Sequence, residues 1–211
     1  MVQTAELVTG DRMTRDEFIA VWDMLPDLKH AELIEGVVWV ASPVSDEHSN
    51  AHDLILGLLF TYAAKTPDCR SGPPSSWLME SDMPEPDAHL RRTKRGSSRK
   101  GKRFKEGVPE LIVEICTTSR DYDFGSKLRL YQRAGVQEYV TVETFIATQR
   151  IIWRVLEEGR YKPLEMDDDR IFRSREFPGL WLDVDAFWAD DVRKMLDTLD
   201  RGIKQRDSLT A

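Results

Sequence analysis

Glu114 stands inside the run Leu111-Ile112-Val113-Glu114-Ile115-Cys116. The run is too short for a typical helix and rich in β-branched residues, so it reads as a strand buried on both faces. An unpaired carboxylate there costs several kcal/mol or takes up a proton. Upstream, Asp87 follows Pro84-Glu85-Pro86. Those prolines cannot sit in a central ladder, which places Asp87 near the start of a neighbouring strand. Adjacent strands would bring the two carboxylates together, and nearby anions raise each other's pKa unless a cation lies between them. A hard divalent cation resolves that conflict, because it takes oxygen ligands and keeps several waters. The backbone carbonyl beside Cys116 could add a ligand. The alternative is that Glu114 pairs with a buried Arg or Lys while Asp87 caps a turn, and spacing alone leaves both open.

Lys127 falls in the first turns of the helix that must follow the Glu114 strand. Packed back over the sheet, its ammonium could hold a water or a phosphate oxygen. Spacing by itself favours a plainer role, an exposed pair with Asp123 at i and i+4 worth ~0.3–0.5 kcal/mol. His48 and His52 share a helix face but lack the Glu placement of a zinc-protease motif. Residues 91–105 hold Arg91, Arg92, Lys94, Arg95, Arg99, Lys100, Lys102, Arg103 and Lys105 with no acid, on a chain of net charge -7. The global charge argues against a general nucleic-acid binder, whereas this local run would suit a phosphate backbone. There is no nucleotide-binding glycine motif, and Ser119 and Ser126 have no His partner nearby in sequence.

The elements that must position these residues follow from capping and periodicity. Thr14-x-x-Glu17 is a capping box opening a helix over about 14–24. Two strand-like runs around Glu35-Gly36, in 31–42, predict a hairpin, closed by Pro43. Ser45 caps a long helix to about residue 65. Residues 66–74 read as a loop, Trp77–Met79 as a strand, and 91–105 as an excursion too charged to pack. The strand at 109–117, a helix over 122–134 ended by Gly135, and a strand over 138–142 make a βαβ unit. After 149 the pattern turns antiparallel, with a hairpin around Glu158-Gly159 and an aromatic run at 177–188. A polar helix follows over about 190–201.

The length, 211 residues, suits one domain with a real core. The expected division is a loose leader over 1–13, a single domain over 14–201 and a flexible tail over 202–211. Cys69 and Cys116 suggest neither a disulfide framework nor a zinc site. The longest apolar run, Leu54 to Phe60, is too short to span a bilayer, and no secretory signal is evident. The expectation is a cytoplasmic protein without membrane association.

At this point the order of motifs becomes recognisable: "ELIEG" (32–36), "SPVSDEH" (42–48), "EPD" (85–87), "PELIVEI" (109–115), "KLRLYQRAGVQEY" (127–139) and "PGLWLDV" (178–184). Over residues 14–188 the chain resembles the Uma-two family, bacterial nucleases of the restriction-endonuclease-like PD-(D/E)XK superfamily. The resemblance implies an α/β (α+β) fold with an αβββαβ core. A mixed central sheet would be flanked by helices, with an N-terminal helix and hairpin and a C-terminal antiparallel extension. It implies Asp87 and Glu114 as ligands of Mg²⁺ or Mn²⁺, with Lys127 as the third catalytic group. Cys116 occupies the usual lysine position, and the lysine has moved to the following helix. Glu32, His48 and Tyr131 match supporting positions. Departures are Thr117-Thr118-Ser119 in place of Ser-Pro-Ser, Val140 and Glu143 in place of Trp and Asp, and the basic insertion at 91–105.

The expected activity is metal-dependent hydrolysis of phosphodiesters, in DNA rather than RNA, with the basic run holding the backbone and a homodimer possible. The competing readings are a non-catalytic nucleic-acid-binding or interaction protein on the same fold, and a structural homo-oligomer joined through the aromatic C-terminal hairpin.

Overall fold

The computed structural model describes residues 6–40, 45–116, 123–145 and 149–210. The expected closure at Pro43, the Thr117-Thr118-Ser119 segment and the start of the helix at Tyr122 lie outside the described residues.

Helix α1 (Arg15–Asp23) begins at the predicted capping box, with Thr14 and Glu17 bonding each other's backbone reciprocally. Strands β1 (Ala31–Ile34) and β2 (Val37–Val40) form the predicted hairpin. Its turn places both Glu35 and Gly36 at positive φ, 52° and 73°, the requirement of the turn that matches strand twist. Phe18, Trp22, Leu33, Val38 and Met83 bury together beneath it. Residues 6–13 are not loose: Leu7 is buried in that cluster and Arg12 bridges Val37.

Helix α2 (Asp46–Ala64) is capped by Ser45, whose side chain accepts from the His48 N–H. Its apolar stripe, Leu54, Ile55, Leu58, Leu59 and Tyr62, covers one face of the central sheet. That sheet has six strands in the order β11-β10-β9-β8-β5-β3. They are β3 (Cys69–Gly72), β5 (Ala88–Arg92), β8 (Leu111–Cys116), β9 (Glu138–Glu143), β10 (Arg150–Glu157) and β11 (Arg160–Pro163). Within this sheet only β8 and β9 run parallel; between them lie a π-turn (Asp123–Lys127) and helix α3 (Leu128–Ala134), closed by Gly135 in the left-handed region. The succession α2-β3-β5-β8-α3-β9 is the expected αβββαβ core.

Two expectations about the chain's course are corrected. Residues 66–74 are not all loop, because Cys69–Gly72 forms the edge strand β3, antiparallel to β5. The polar sequence hid it, since an edge strand needs few apolar side chains when one face meets solvent. Nor is 91–105 a packing-free excursion. It opens inside β5 and continues through β6 (Arg99–Lys100) into β7 (Lys105–Glu106), which pairs with β4 (Trp77–Leu78) in a small three-stranded sheet.

The C-terminal part closes the first face. Strands β12 (Ile171–Arg173) and β13 (Trp181–Asp183) pair, followed by α4 (Val184–Trp188) and α5 (Val192–Thr210). The last helix runs well past residue 201, and Ile203 is buried. Gly202 explains the anchoring: a Cβ there would sit 2.7 Å from the Trp181 ring. Phe177 and Phe187 of the aromatic run bury in the chain's own core, while Trp181 and Trp188 stay half-buried. No helix among the described residues is long and apolar enough to cross a membrane. The opposite face of the sheet carries Ile112, Tyr139, Leu130, Tyr131, Val136 and Trp77, and this is the face that holds the charged residues.

Candidate active site

Alternation along β8 sends Ile112 and Glu114 to the α3 face and Val113 and Ile115 to the α2 face. Glu114 is thereby buried, 2% exposed, and needs a counter-charge. Lys127 supplies it: the ammonium lies 3.0 Å from Glu114 Oε2 and 3.0 Å from Glu32 Oε1. Lys127 is itself 4% exposed, which overturns the surface role that spacing favoured. It closes the π-turn just before α3. The wider turn offsets it from the α-helical periodicity, a device recurrent at functional sites. Tyr131, one turn further, donates to Glu114 Oε1 at 2.6 Å. Burial and then the Glu114 charge push its hydroxyl well above the usual phenol range, so it stays a donor.

The Asp87 side is built by register. Ala88 pairs with Val113, so Asp87 comes alongside Glu114 one step on, and its Oδ2 accepts from the Ile115 N–H at 2.7 Å. His48 Nε2 approaches the same oxygen at 3.7 Å. His52, one helical turn later, meets the Asp87 carbonyl at 3.0 Å. The two rings stack with centroids 6.2 Å apart. Burial pushes the Asp87 carboxyl up, but the His48 hydrogen bond, the Lys127 charge and the Ile115 N–H outweigh it and hold the group below the usual aspartate value. The β1–β2 hairpin completes the cluster. Leu33 and Met83 exchange backbone bonds of 3.1 and 2.8 Å, which docks Glu32 so that its Oε1 also accepts the Glu85 N–H at 2.6 Å.

All six expected residues, Asp87, Glu114, Lys127, Glu32, His48 and Tyr131, therefore converge. The counter-charge that the sequence reading gave to a metal is carried at Glu114 by Lys127. The donor chemistry nevertheless fits a hard cation. Asp87 is held ionised with Oδ1 unpartnered among the described residues, and a carboxylate such as Glu114 has about four lone-pair sites to share. Among the described residues no three His, Cys, Asp or Glu groups form a ready cage. Two carboxylates plus waters is the usual Mg²⁺ arrangement. The Cys116 carbonyl accepts the Thr144 N–H at 3.1 Å.

The basic run divides on inspection. Arg92 pairs with Glu176, Lys94 with Asp68, Arg99 with Glu106 and Arg103 with Asp23. Arg95, Lys100 and Lys102 are exposed. Arg91 and Lys105 are half-buried, and Lys105 bonds His89 Nε2 at 2.8 Å and Ser75 Oγ at 2.7 Å. The sequence showed His52 at i, i+4 from His48 but gave it no role, whereas the fold sets it on the Asp87 carbonyl. Sequence reasoning passed over Arg70, which the loop assignment concealed.

A family model described as "Putative restriction endonuclease", Uma2, matches residues 16–185. No curated protein matches. Among solved structures the chain is similar to a "putative nuclease belonging to DUF820 from Anabaena variabilis ATCC 29413". The TM-score is 0.62 and the identity 14%, over 78% of this chain and 90% of that one. At that identity the likeness speaks for the fold.

Proposed function

The chain belongs to the Uma2 family, and on that premise we propose that it is a metal-dependent endonuclease hydrolysing phosphodiester bonds in DNA rather than RNA. One observation carries the proposal: a buried Glu114–Lys127 pair with the ionised Asp87 beside it, its Oδ1 open. Asp87 and Glu114 would hold Mg²⁺ or Mn²⁺, which when bound supplies a Lewis acid and an acidified water.

The remaining work belongs to side chains of the chain. The Lys127 ammonium, held between Glu114 and Glu32, would stabilise charge as it develops on the attacking water or on a phosphate oxygen. Glu32 fixes that ammonium from the far side. Tyr131 holds the Glu114 carboxyl in one rotamer. His48 steadies Asp87. Contacts from basic side chains would reach the phosphate backbone, which positions a duplex without reading its sequence, so the expected cutting is weakly sequence-selective.

The test is nicking of supercoiled plasmid with Mg²⁺ or Mn²⁺ by wild type, Glu114→Gln and Lys127→Ala, with folding of each checked by circular dichroism. Activity in wild type that disappears in both folded variants supports the proposal. A wild type that shifts DNA in a salt-dependent way but never cuts moves the non-catalytic binding reading to first place.

A further inference from the structure

Asp87, just before β5, and His89 and Arg91 within it alternate onto one face. His89 shows which face, packing edge-on against Trp77 at 5.0 Å, and Trp77 belongs to the same apolar cluster as Tyr131. The edge strand β3 sets Arg70 directly opposite Arg91 and Gly72 opposite His89. Like charges directly opposite in a sheet repel. Here a third cation joins them: Lys105 lies over the Trp77 ring at 5.2 Å and bonds His89 and Ser75.

Gly72 makes room for this arrangement. A Cβ at that position would fall 2.5 Å from His89 Cε1 and 3.2 Å from the Lys105 ammonium. Burial, Arg91 and Arg70 push Lys105 down to about 8, so the three cations feel one another. Among the described residues Arg70, Arg91 and Lys105 have no acidic partner, in contrast to Arg92, Lys94, Arg99 and Arg103 in the same region. Three cations gathered on one face without an anion, Arg91 and Lys105 half-buried and Arg70 exposed, make a surface fitted to an anionic ligand.

We propose that Arg70, Arg91 and Lys105 form a subsite for a backbone phosphate of nucleic acid, on the same face of the sheet as the carboxylate centre. The anion site stands on this geometry; its assignment to a nucleic-acid strand rests on the nuclease reading. From Asp87 to Arg91 is about 14 Å at the ~3.4 Å rise of a strand. The phosphate held there is therefore not the one cut but one a few nucleotides along. The subsite fixes where the strand crosses the centre, and it narrows the nucleic-acid contacts to two members of the basic run plus Arg70, which lies outside it.

The test is fluorescence anisotropy of a labelled DNA duplex and of its RNA counterpart, in EDTA, across a salt series, with the full chain. Arg70→Gln/Arg91→Gln should weaken binding roughly tenfold and lower the log–log salt slope by about one or more, as lost phosphate contacts do. Lys100→Gln/Lys102→Gln, an equal charge change on exposed side chains, should stay within about twofold. Relief of repulsion should leave the melting temperature of Arg91→Gln equal or higher; a clear fall would make Arg91 a structural residue and overturn the proposal. Unchanged affinity and slope in the double variant would overturn it too, as would a wild type that binds neither nucleic acid.

Inorganic phosphate is the second probe. Competition with DNA at micromolar phosphate, lost in the double variant, would make this a free-phosphate site and overturn the nucleic-acid assignment. Cutting is read separately with Mg²⁺. Binding through Arg70 and Arg91 without cutting sinks the nuclease reading and keeps the subsite; cutting with Arg70 and Arg91 irrelevant to affinity does the reverse.

Discussion

Two charged regions share one face of the sheet and are built on opposite principles. Around Glu114 the charges are buried and compensated from within: Lys127 lies between Glu114 and Glu32, and Tyr131 and the Ile115 N–H satisfy further oxygens. Around Arg91 the charges are exposed or half-exposed and uncompensated, with Arg70 opposite and Lys105 beside it. Burying a lone ion costs several kcal/mol even after relaxation, so the interior cluster exists only because its members arrive together. The edge cluster sits where water screens repulsion, so it can wait for a ligand to bring the counter-charge. The Glu114–Lys127 pair marks groups held in place; the ionised Asp87 and the cations around Arg91 are the groups left to meet a counter-charge from outside.

The contrast predicts unequal responses to removing one charge. The largest is expected for Lys127→Met, which strands two carboxylates. Urea unfolding should show a loss of about 3–5 kcal/mol, the range for breaking a buried pair by removing one partner. A loss below about 1 kcal/mol would mean that Glu114 is not relying on Lys127, and the comparison would break at its strong end.

Tyr131→Phe should come next. It removes a donor to a buried carboxylate while leaving the ring, and hydrogen bonds to charged groups contribute about 1.5–3 kcal/mol. Arg91→Gln measured in parallel sharpens the point, since it should cost nothing. Comparable losses in the two would place both regions under one rule.

The smallest effect is a pH dependence at Lys105, which faces Arg91, Arg70, His89 and Ser75. Its value of about 8 lies below the ordinary 10.5, so the folded state disfavours the charged form. That cost is fully present below pH 8 and is relieved as pH rises from 8 towards 10.5. Wild type should therefore gain stability relative to Lys105→Met across that window, modestly, because the group is half-exposed and solvent screens it. A difference that stays flat with pH would show that the edge cations do not interact.

Much of this was legible in the chain itself. Thr14 and Glu17, Ser45, Glu35-Gly36, Glu158-Gly159 and Gly135 act through bonds or dihedral demands that reach only a few residues, and each element they delimit forms as read. The β-branched run around Glu114 declared a buried strand for the same reason. The motif order gathered Asp87, Glu114, Lys127, Glu32, His48 and Tyr131 into one site, and the structure brings all six together.

What the chain left open is what depends on partners distant in sequence. Whether Lys127 is an exposed helix pair or a buried counter-ion depends on the π-turn and on a hairpin carrying Glu32 from 95 positions away. Arg70 lay hidden in a polar stretch because an edge strand is made by hydrogen bonding to its neighbour, not by apolar alternation. The nine basic residues of 91–105 look alike in the sequence. Only the tertiary structure separates those neutralised by Asp23, Asp68, Glu106 and Glu176 from Arg91 and Lys105, since composition counts charges and folding decides which of them meet.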